Sequence, residues 1–466
     1  MNRHSVVALA AAAACLVLLF GVSPASAGVR AASSAGAVLA RTWGSAEEVP
    51  GTAALNTGGN AAVESVSCPS TGTCSAGGWY TVGAGHQQAF VVSEKNGTWG
   101  TARKVPGTAT LNTGRLAQVN SVSCASAGNC SAGGFYRDSS RHGHAFVVTQ
   151  ANGIWGTAEE VPGTAALNTG GAAQVTSVSC ASAGNCSAGG WYKNRADTSR
   201  AFVVSEVHGT WGKAKQVPGI TKLDAGGFAE VNSVSCAAAG TCSAGGTYVD
   251  SSNHEQAFVV NEVNGTWGTA EQVPGTTGGA LVNSVSCASA GNCSAGGQAF
   301  VVSEANGTWG TAEAVPGISF ALVNSVSCAS AGNCSADGDY VDSSNHQQAF
   351  VVSEVNGTWG TATQVPGITK LDTGGFAGMA PVSCASAGNC SAGGWYRDNS
   401  GHLQVFVVSE VNGIWGTAEE VPGTAALNTG GFVKIDSVSC APAGTCSAGG
   451  TYVDSTGQQA FVVNKA

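Results

Sequence analysis

The chain has 466 residues, of which a tenth are charged, and its formal net charge of −9 comes with only 19 thinly spread Lys and Arg. No basic stripe is available to neutralise phosphates, which argues against nucleic acid as a partner. Gly, Ala, Ser, Thr and Val abound, a composition that suits short strands and turns and starves long helices, so all-β is the expected class.

In chain order, residues 1–27 come first, with Arg3 in a short polar start, an apolar run over 6–20 and the small-residue ending Ala25-Ser26-Ala27. That is the layout of a secretory signal peptide. The mature chain then begins near Gly28, with a flexible segment over 28–41 and the folded domain over 42–466. The apolar run is too short for a permanent anchor, and no later stretch approaches 18 apolar residues. The expected product is secreted, extracellular, monomeric and not inserted in a membrane. Cys15 leaves with the signal, and the 16 cysteines that stay are an even set sent to an oxidising compartment, which favours disulfides.

From Trp43 onward a unit of about 56 residues repeats. Trp43, Trp99, Trp155, Trp211, Trp267, Trp309, Trp359 and Trp415 each begin a Trp-Gly step, the signature of a repeat architecture. Within the second unit, strands are expected over 118–124, 130–136, 145–150 and 154–161, separated by turn residues. Four strands make one blade. The Asn152-Gly153 step and its equivalents at Asn96, Asn264, Asn306, Asn356 and Asn412 pair the third and fourth strands, because both residues tolerate positive φ. The third strand, as in Ala89-Phe90-Val91-Val92, lacks polar alternation, so both its faces must be covered. The first two strands carry small residues, as an axis where space tapers requires. The chain opens on a fourth-strand segment and ends just after a third strand. The pattern therefore predicts an eight-bladed β-propeller with four-stranded antiparallel blades, closed by the N-terminal strand completing the last blade. A solenoid is the rival, but it would need polar terminal caps and none is visible.

Each unit holds one cysteine pair: Cys68 and Cys74, Cys124 and Cys130, Cys180 and Cys186, Cys236 and Cys242, Cys287 and Cys293, Cys328 and Cys334, Cys384 and Cys390, Cys440 and Cys446. Each pair flanks a short hairpin loop, where a bond pins the turn and is worth about 2.4 kcal/mol by chain entropy. Zinc would want Cys-x-x-Cys knuckles brought together, so structural staples are expected and neither a metal nor another cofactor is assigned.

The hairpin Ser93-Glu94-Lys95-Asn96-Gly97-Thr98-Trp99 and its counterparts resemble the Asp-box of sialidase-like propellers, one residue shorter and with Asn in place of Asp. The mature chain is also similar to Cys-rich repeat proteins exported by actinobacteria. The resemblance implies the fold over nearly all of 43–466. It does not carry sialidase activity, because the arginine cluster and the Tyr/Glu pair of those enzymes are replaced here by Ser, Val and Cys in the inner strands.

The connectors between units and the turns after the second strands share one face, opposite the disulfide turns. Aromatic residues followed by polar loops recur there: Trp79-Tyr80, Phe135-Tyr136 with Asp138, Trp191-Tyr192, Tyr248 with Asp250, Tyr340 with Asp342, Trp395-Tyr396 with Asp398, and Tyr452 with Asp454. Of these, Tyr80, Tyr136, Asp138, Tyr192, Tyr248, Asp250, Tyr340, Asp342, Tyr396 and Asp398 are the candidate ligand-binding residues. Rings beside carboxylates can hold a sugar or peptide, while turn chemistry alone also explains the repetition. His86, His142, His254, His346 and His402 read as solvated turn residues. Glu64 and Asp436 precede the innermost strands of units that closure makes neighbours, where Asn120, Thr176, Asn232, Asn283 and Asn324 stand in other units. The pair suits acid/base chemistry or a polar rim, and no catalytic residue is assigned. Shortened connectors before Val285 and Val326, and a lost loop at Gly297-Gln298-Ala299, predict a notch at the fifth blade. The leading expectation is a binding or adhesion module for a glycan, cell-wall polymer or protein. The alternatives are a purely structural extracellular protein and, third, a glycoside-processing enzyme.

Overall fold

In the computed structural model, which describes residues 41–83 and 85–466, each repeat unit forms one antiparallel sheet. The expected signal peptide and nearly all of the 28–41 segment lie outside the described residues. Blades 1 to 7 span 61–104, 117–160, 173–216, 229–272, 282–314, 322–364 and 377–420, and blade 8 spans 433–465 together with 47–48. The protein is an eight-bladed β-propeller. Its hairpins turn as the sequence requires: Asn96, Asn152, Asn264, Asn306, Asn356 and Asn412 all hold φ between 50° and 53°, and His208 takes the same conformation in blade 3.

In blade 2 the strands are Ala117–Ser126, Asn129–Arg137 and Gly143–Ala151. The fourth strand, expected as one run, is two dipeptides, Ile154–Trp155 and Glu159–Glu160, both paired with Gly143–Ala151. The break has a purpose. Ala158 N–H turns away from its own sheet and donates to Pro106 O of the preceding connector at 2.8 Å, and the equivalent bond recurs from Ala46 N–H to Pro422 O. Four-residue helical turns such as Thr108–Leu111 fill several connectors, too short for any periodicity to reveal them.

Closure occurs as expected. Glu47 and Glu48 pair with Val462 and Phe461, and Gly44 N–H donates to Asn464 O at 2.8 Å. Between blades the core repeats: Phe90, Phe146, Phe202, Phe258, Phe350, Phe406 and Phe461 are fully buried on the third strands, with Val and Trp outside them. The second strands need glycine. A Cβ on Gly133 would stand 2.6 Å from Val175 Cγ1 of the next blade, and one on Gly134 would collide with Gln118 O of the paired inner strand.

At the axis, each inner strand would leave backbone N–H groups without a sheet partner. The serines of the Ser-Val-Ser-Cys motif supply one across each junction. Ser121 Oγ accepts from Val178 N–H at 3.0 Å and Ser123 Oγ from Cys180 N–H at 2.9 Å, and Ser437 and Ser439 repeat this onto Val66 and Cys68 to close the ring. Blade 7 departs, since Pro381 replaces the first serine. All eight disulfides form as paired in sequence, with Cα–Cα separations between 3.9 and 4.1 Å. No helix among the described residues is long and apolar enough to cross a membrane.

Candidate functional site

The recurrent tyrosines belong to the core. Tyr80, Tyr136, Tyr192, Tyr248 and Tyr396 are 3 to 4% exposed, and Tyr340 is half-buried. Side chains alternate across a strand, so each tyrosine shares a face with the diagonal phenylalanine of the third strand: Tyr396 and Phe406 lie 6.4 Å apart, Tyr80 and Phe90 likewise. Rings so placed offer no stacking face to a ligand, which corrects their expected role. Burial also pushes their phenol groups above the usual range.

The paired aspartates are turn formers. One oxygen of Asp250 accepts from Ser252 N–H at 2.8 Å and from His254 N–H at 3.0 Å, the other from Gln256 Nε2 at 2.9 Å, and these bonds hold its carboxyl below the ordinary range. Asp138, Asp342 and Asp398 make the same turn. His142, His254, His346 and His402 are exposed and His86 is half-buried, and the rings of His142, His346 and His402 rest on glycines of the following connector, Gly171, Gly375 and Gly431.

The same alternation leaves Trp79, Phe135, Trp191 and Trp395 half-buried on the opposite side of the second strand. The sequence places them beside the tyrosines in the same recurring pairs, but the expected ligand-binding role falls on the tyrosines and aspartates rather than on them. The signal was the fully apolar third strand: once its phenylalanines are interior, the tyrosines follow them inward and the tryptophans turn outward.

Beside these rings the repeat loses its symmetry. Each inner strand bulges before its first Ser position, and in five blades the bulged side chain donates to the next blade's carbonyl: Asn120 to Val175 O at 2.7 Å, the Thr176 hydroxyl to Val231 O, Asn232 to Val282 O at 2.8 Å, Asn283 to Val323 O at 2.9 Å and Asn324 to Met379 O at 2.7 Å. Blades 7, 8 and 1 carry Ala380, Asp436 and Glu64 there. An ionised carboxylate cannot donate to a carbonyl. Asp436 instead pairs with Lys434 at 2.7 Å, and Glu64 accepts from Trp79 Nε1 at 2.7 Å. Burial, then the neighbouring Asp436, pushes the Glu64 carboxyl up, and burial does the same to Asp436 despite Lys434. Lys434 also sits 5.9 Å from the centre of the Trp395 ring, which lies so close over Gly378 that a Cβ there would meet it at 2.6 Å. Trp79 with Glu64 in blade 1, and Asp436, Lys434 and Trp395 in blades 8 and 7, thus form two contact groups, close enough that Asp436 raises the Glu64 carboxyl.

The deletions at blade 5 show as missing turns: the connectors entering blades 5 and 6 lack the helical turn, and the second hairpin contracts to a tight turn with Ala299 at φ 66°. Phe320, in the connector entering blade 6, is 87% exposed with φ 56°. In blade 6, Asp337 occupies the position of Gly133 and its equivalents. It is entirely buried with neither oxygen hydrogen-bonded among the described residues, and burial raises its carboxyl well above the usual range.

No family model matches the chain, and no curated protein matches it. Among solved structures it is similar to YCF48 bound to D1 peptide, at 10% identity over 75% of this chain and 92% of that one, with a TM-score of 0.42. A protein of unknown function from Dyadobacter fermentans DSM 18053 aligns at 11% identity over 92% and 99%, with a TM-score of 0.43. The Hadza microbial sialidase Hz136 aligns at 11% identity over 81% and 68%, with a TM-score of 0.36. Likenesses of this degree say nothing about activity.

Proposed function

We propose that the protein is a secreted, non-catalytic binding module that holds a polyhydroxylated polymer, a glycan or cell-wall polymer, on its connector face. The observation that carries this reading is the cluster of Trp79, Glu64, Asp436, Lys434 and Trp395, where the side-chain-to-carbonyl ring of the other blades stops. Half-buried indoles supply contact area at little entropic cost, and the flanking charged groups orient hydroxyls. Eight disulfides fit an oxidising extracellular setting.

A glycoside-processing reading rests on the two carboxyls raised by burial, as an acid and base pair would be. Against it, each is occupied by a donor of its own blade. A glycan and peptidoglycan array separates these readings. Binding that falls about tenfold in Trp79→Ala and in Trp395→Ala supports the module. Unchanged binding in both variants overturns the site, hydrolysis abolished by Glu64→Gln turns it into an enzyme, and silence across the array favours a structural protein.

A further inference from the structure

The disulfide-turn face carries a separate asymmetry, between blades 8 and 1. At four other junctions a buried glutamate near the end of the third strand accepts one hydroxyl on each oxygen. Glu206 takes Ser131 at 3.0 Å and Thr149 at 2.7 Å, Glu354 takes Ser294 at 2.9 Å and Ser303 at 2.7 Å, and Glu262 and Glu410 repeat the pattern. Between blades 8 and 1, Asn464 stands in place of the third-strand hydroxyl residue. Its Nδ2 donates to Glu94 Oε1 at 2.6 Å, while its Oδ1 draws off the Ser447 hydroxyl at 2.8 Å and accepts from Trp99 Nε1 at 3.0 Å. Glu94 Oε2 is left buried without a hydrogen-bond partner of good geometry among the described residues, on a residue only 6% exposed, and the nearby Cys74 N–H offsets only part of the cost of that burial.

Glu94 lines a cavity of about 140 Å³ together with Thr71, Gly72, Thr445, Ser447 and Lys465. The lining differs in sequence from most junctions. In five blades the disulfide turn carries an asparagine whose Oδ1 accepts the backbone N–H of the next hairpin, as Asn129 does from Asn152 at 3.2 Å. Blades 1 and 4 carry Thr73 and Thr241, which do not make that bond, and blade 8 carries Thr445, with its fourth strand supplied by Glu47–Glu48 rather than by a hairpin. The junction of blades 4 and 5, half a ring away, repeats both exchanges with Thr241 and Asn261. It too has a cavity, of about 60 Å³, lined by Glu304, whose second oxygen is 3.5 Å from Ser243 Oγ.

We propose that the cavity between blades 8 and 1 takes a primary ammonium group on a short aliphatic stem, with Glu94 as its counter-ion. An ammonium brings three donors and no acceptor, matching a free carboxylate oxygen among hydroxyls. The terminal torsion of a glutamate is soft, so Oε2 can turn into the cavity. Glycine backbone, threonine methyl groups and the cystine sulfurs of Cys74 and Cys446 suit an aliphatic stem, and the volume is close to that of a cavity admitting a six-carbon ring. A divalent cation would want six or more oxygen ligands, and no group of three or more acidic, His or Cys side chains able to hold a metal occurs among the described residues. Lys465 does not neutralise Glu94, since its ammonium donates the other way, to Ser391 and Ser409 of blade 7 at 2.9 and 2.8 Å. That contact is an internal precedent, an ammonium housed in this same layer at the glutamate position. Burial raises the Glu94 carboxyl, so the site must strengthen as rising pH ionises it.

The test is calorimetry and thermal unfolding of the mature chain with n-butylamine, Nα-acetyl-lysine amide, 1-butanol and butyrate. Glu94→Gln preserves the fold, since Gln150 holds this position in blade 2, and Asn464→Ser restores the hydroxyl pattern of the other junctions. The expected result is that n-butylamine binds and raises Tm at about 10 mM while butanol and butyrate do not, with affinity falling about tenfold in each variant. Binding of the lysine amide as well identifies polymer-borne side chains as ligands, and binding of butylamine alone identifies free amines. Butanol matching butylamine, Glu94→Gln leaving binding unchanged, or no Tm shift with either amine overturns the proposal. These outcomes are independent of the connector-face cluster.

Discussion

Four blades end their second strand in an aromatic pair, and alternation sends the two rings to opposite sides. Tyr396 goes into the core and Trp395 to the connector face, so neighbouring residues carry separable roles. Tyr396→Ala removes a buried ring and is expected to cost about 3–4 kcal/mol in urea unfolding, with connector-face binding intact while the chain is folded. Asp337 is the opposite case, a residue that opposes folding. Its folded carboxyl titrates above its unfolded one, so the native state holds the proton more tightly. Stability is then greatest below the unfolded value and is lost as pH rises through the folded one. Asp337→Gly, which restores the residue of the other blades, should stabilise the protein by about 2 kcal/mol at pH 7 and by less at pH 4. An equal gain at both pH values would show that the carboxyl is not neutral in the fold.

At the scale of elements, the sequence carried most of the architecture because its signals are local and repeated. Asn-Gly steps mark hairpins, cysteine pairs mark the disulfide turns, and Phe-Val-Val runs mark strands covered on both sides. What it did not carry depends on which neighbour is orphaned. The serines of Ser-Val-Ser-Cys read as small residues for a tapering axis, whereas their hydroxyls also complete the backbone of the next blade. The fourth strand read as continuous because nothing local shows that Ala158 N–H is needed by Pro106 O. The deletion cluster at blade 5 was legible as missing residues. The break at blades 7, 8 and 1 was half legible: Glu64 and Asp436 stood out, but the ring of side-chain donors they interrupt exists only once the bulges are seen.

For the whole molecule, the two proposed sites gather where the ring closes. The Trp79–Trp395 cluster spans the junction of blades 8 and 1 on one face, and the Glu94 cavity occupies the same junction on the other. Both depend on residues 43–49 completing blade 8, where Trp43 and Val49 are buried. The most direct test is thermal unfolding of the mature chain with and without residues up to Pro50. The account predicts that removal lowers Tm by about 10 °C or more, since several kcal/mol of burial and the last sheet's pairing are lost together. An unchanged Tm and a single cooperative transition in the truncated chain would contradict it.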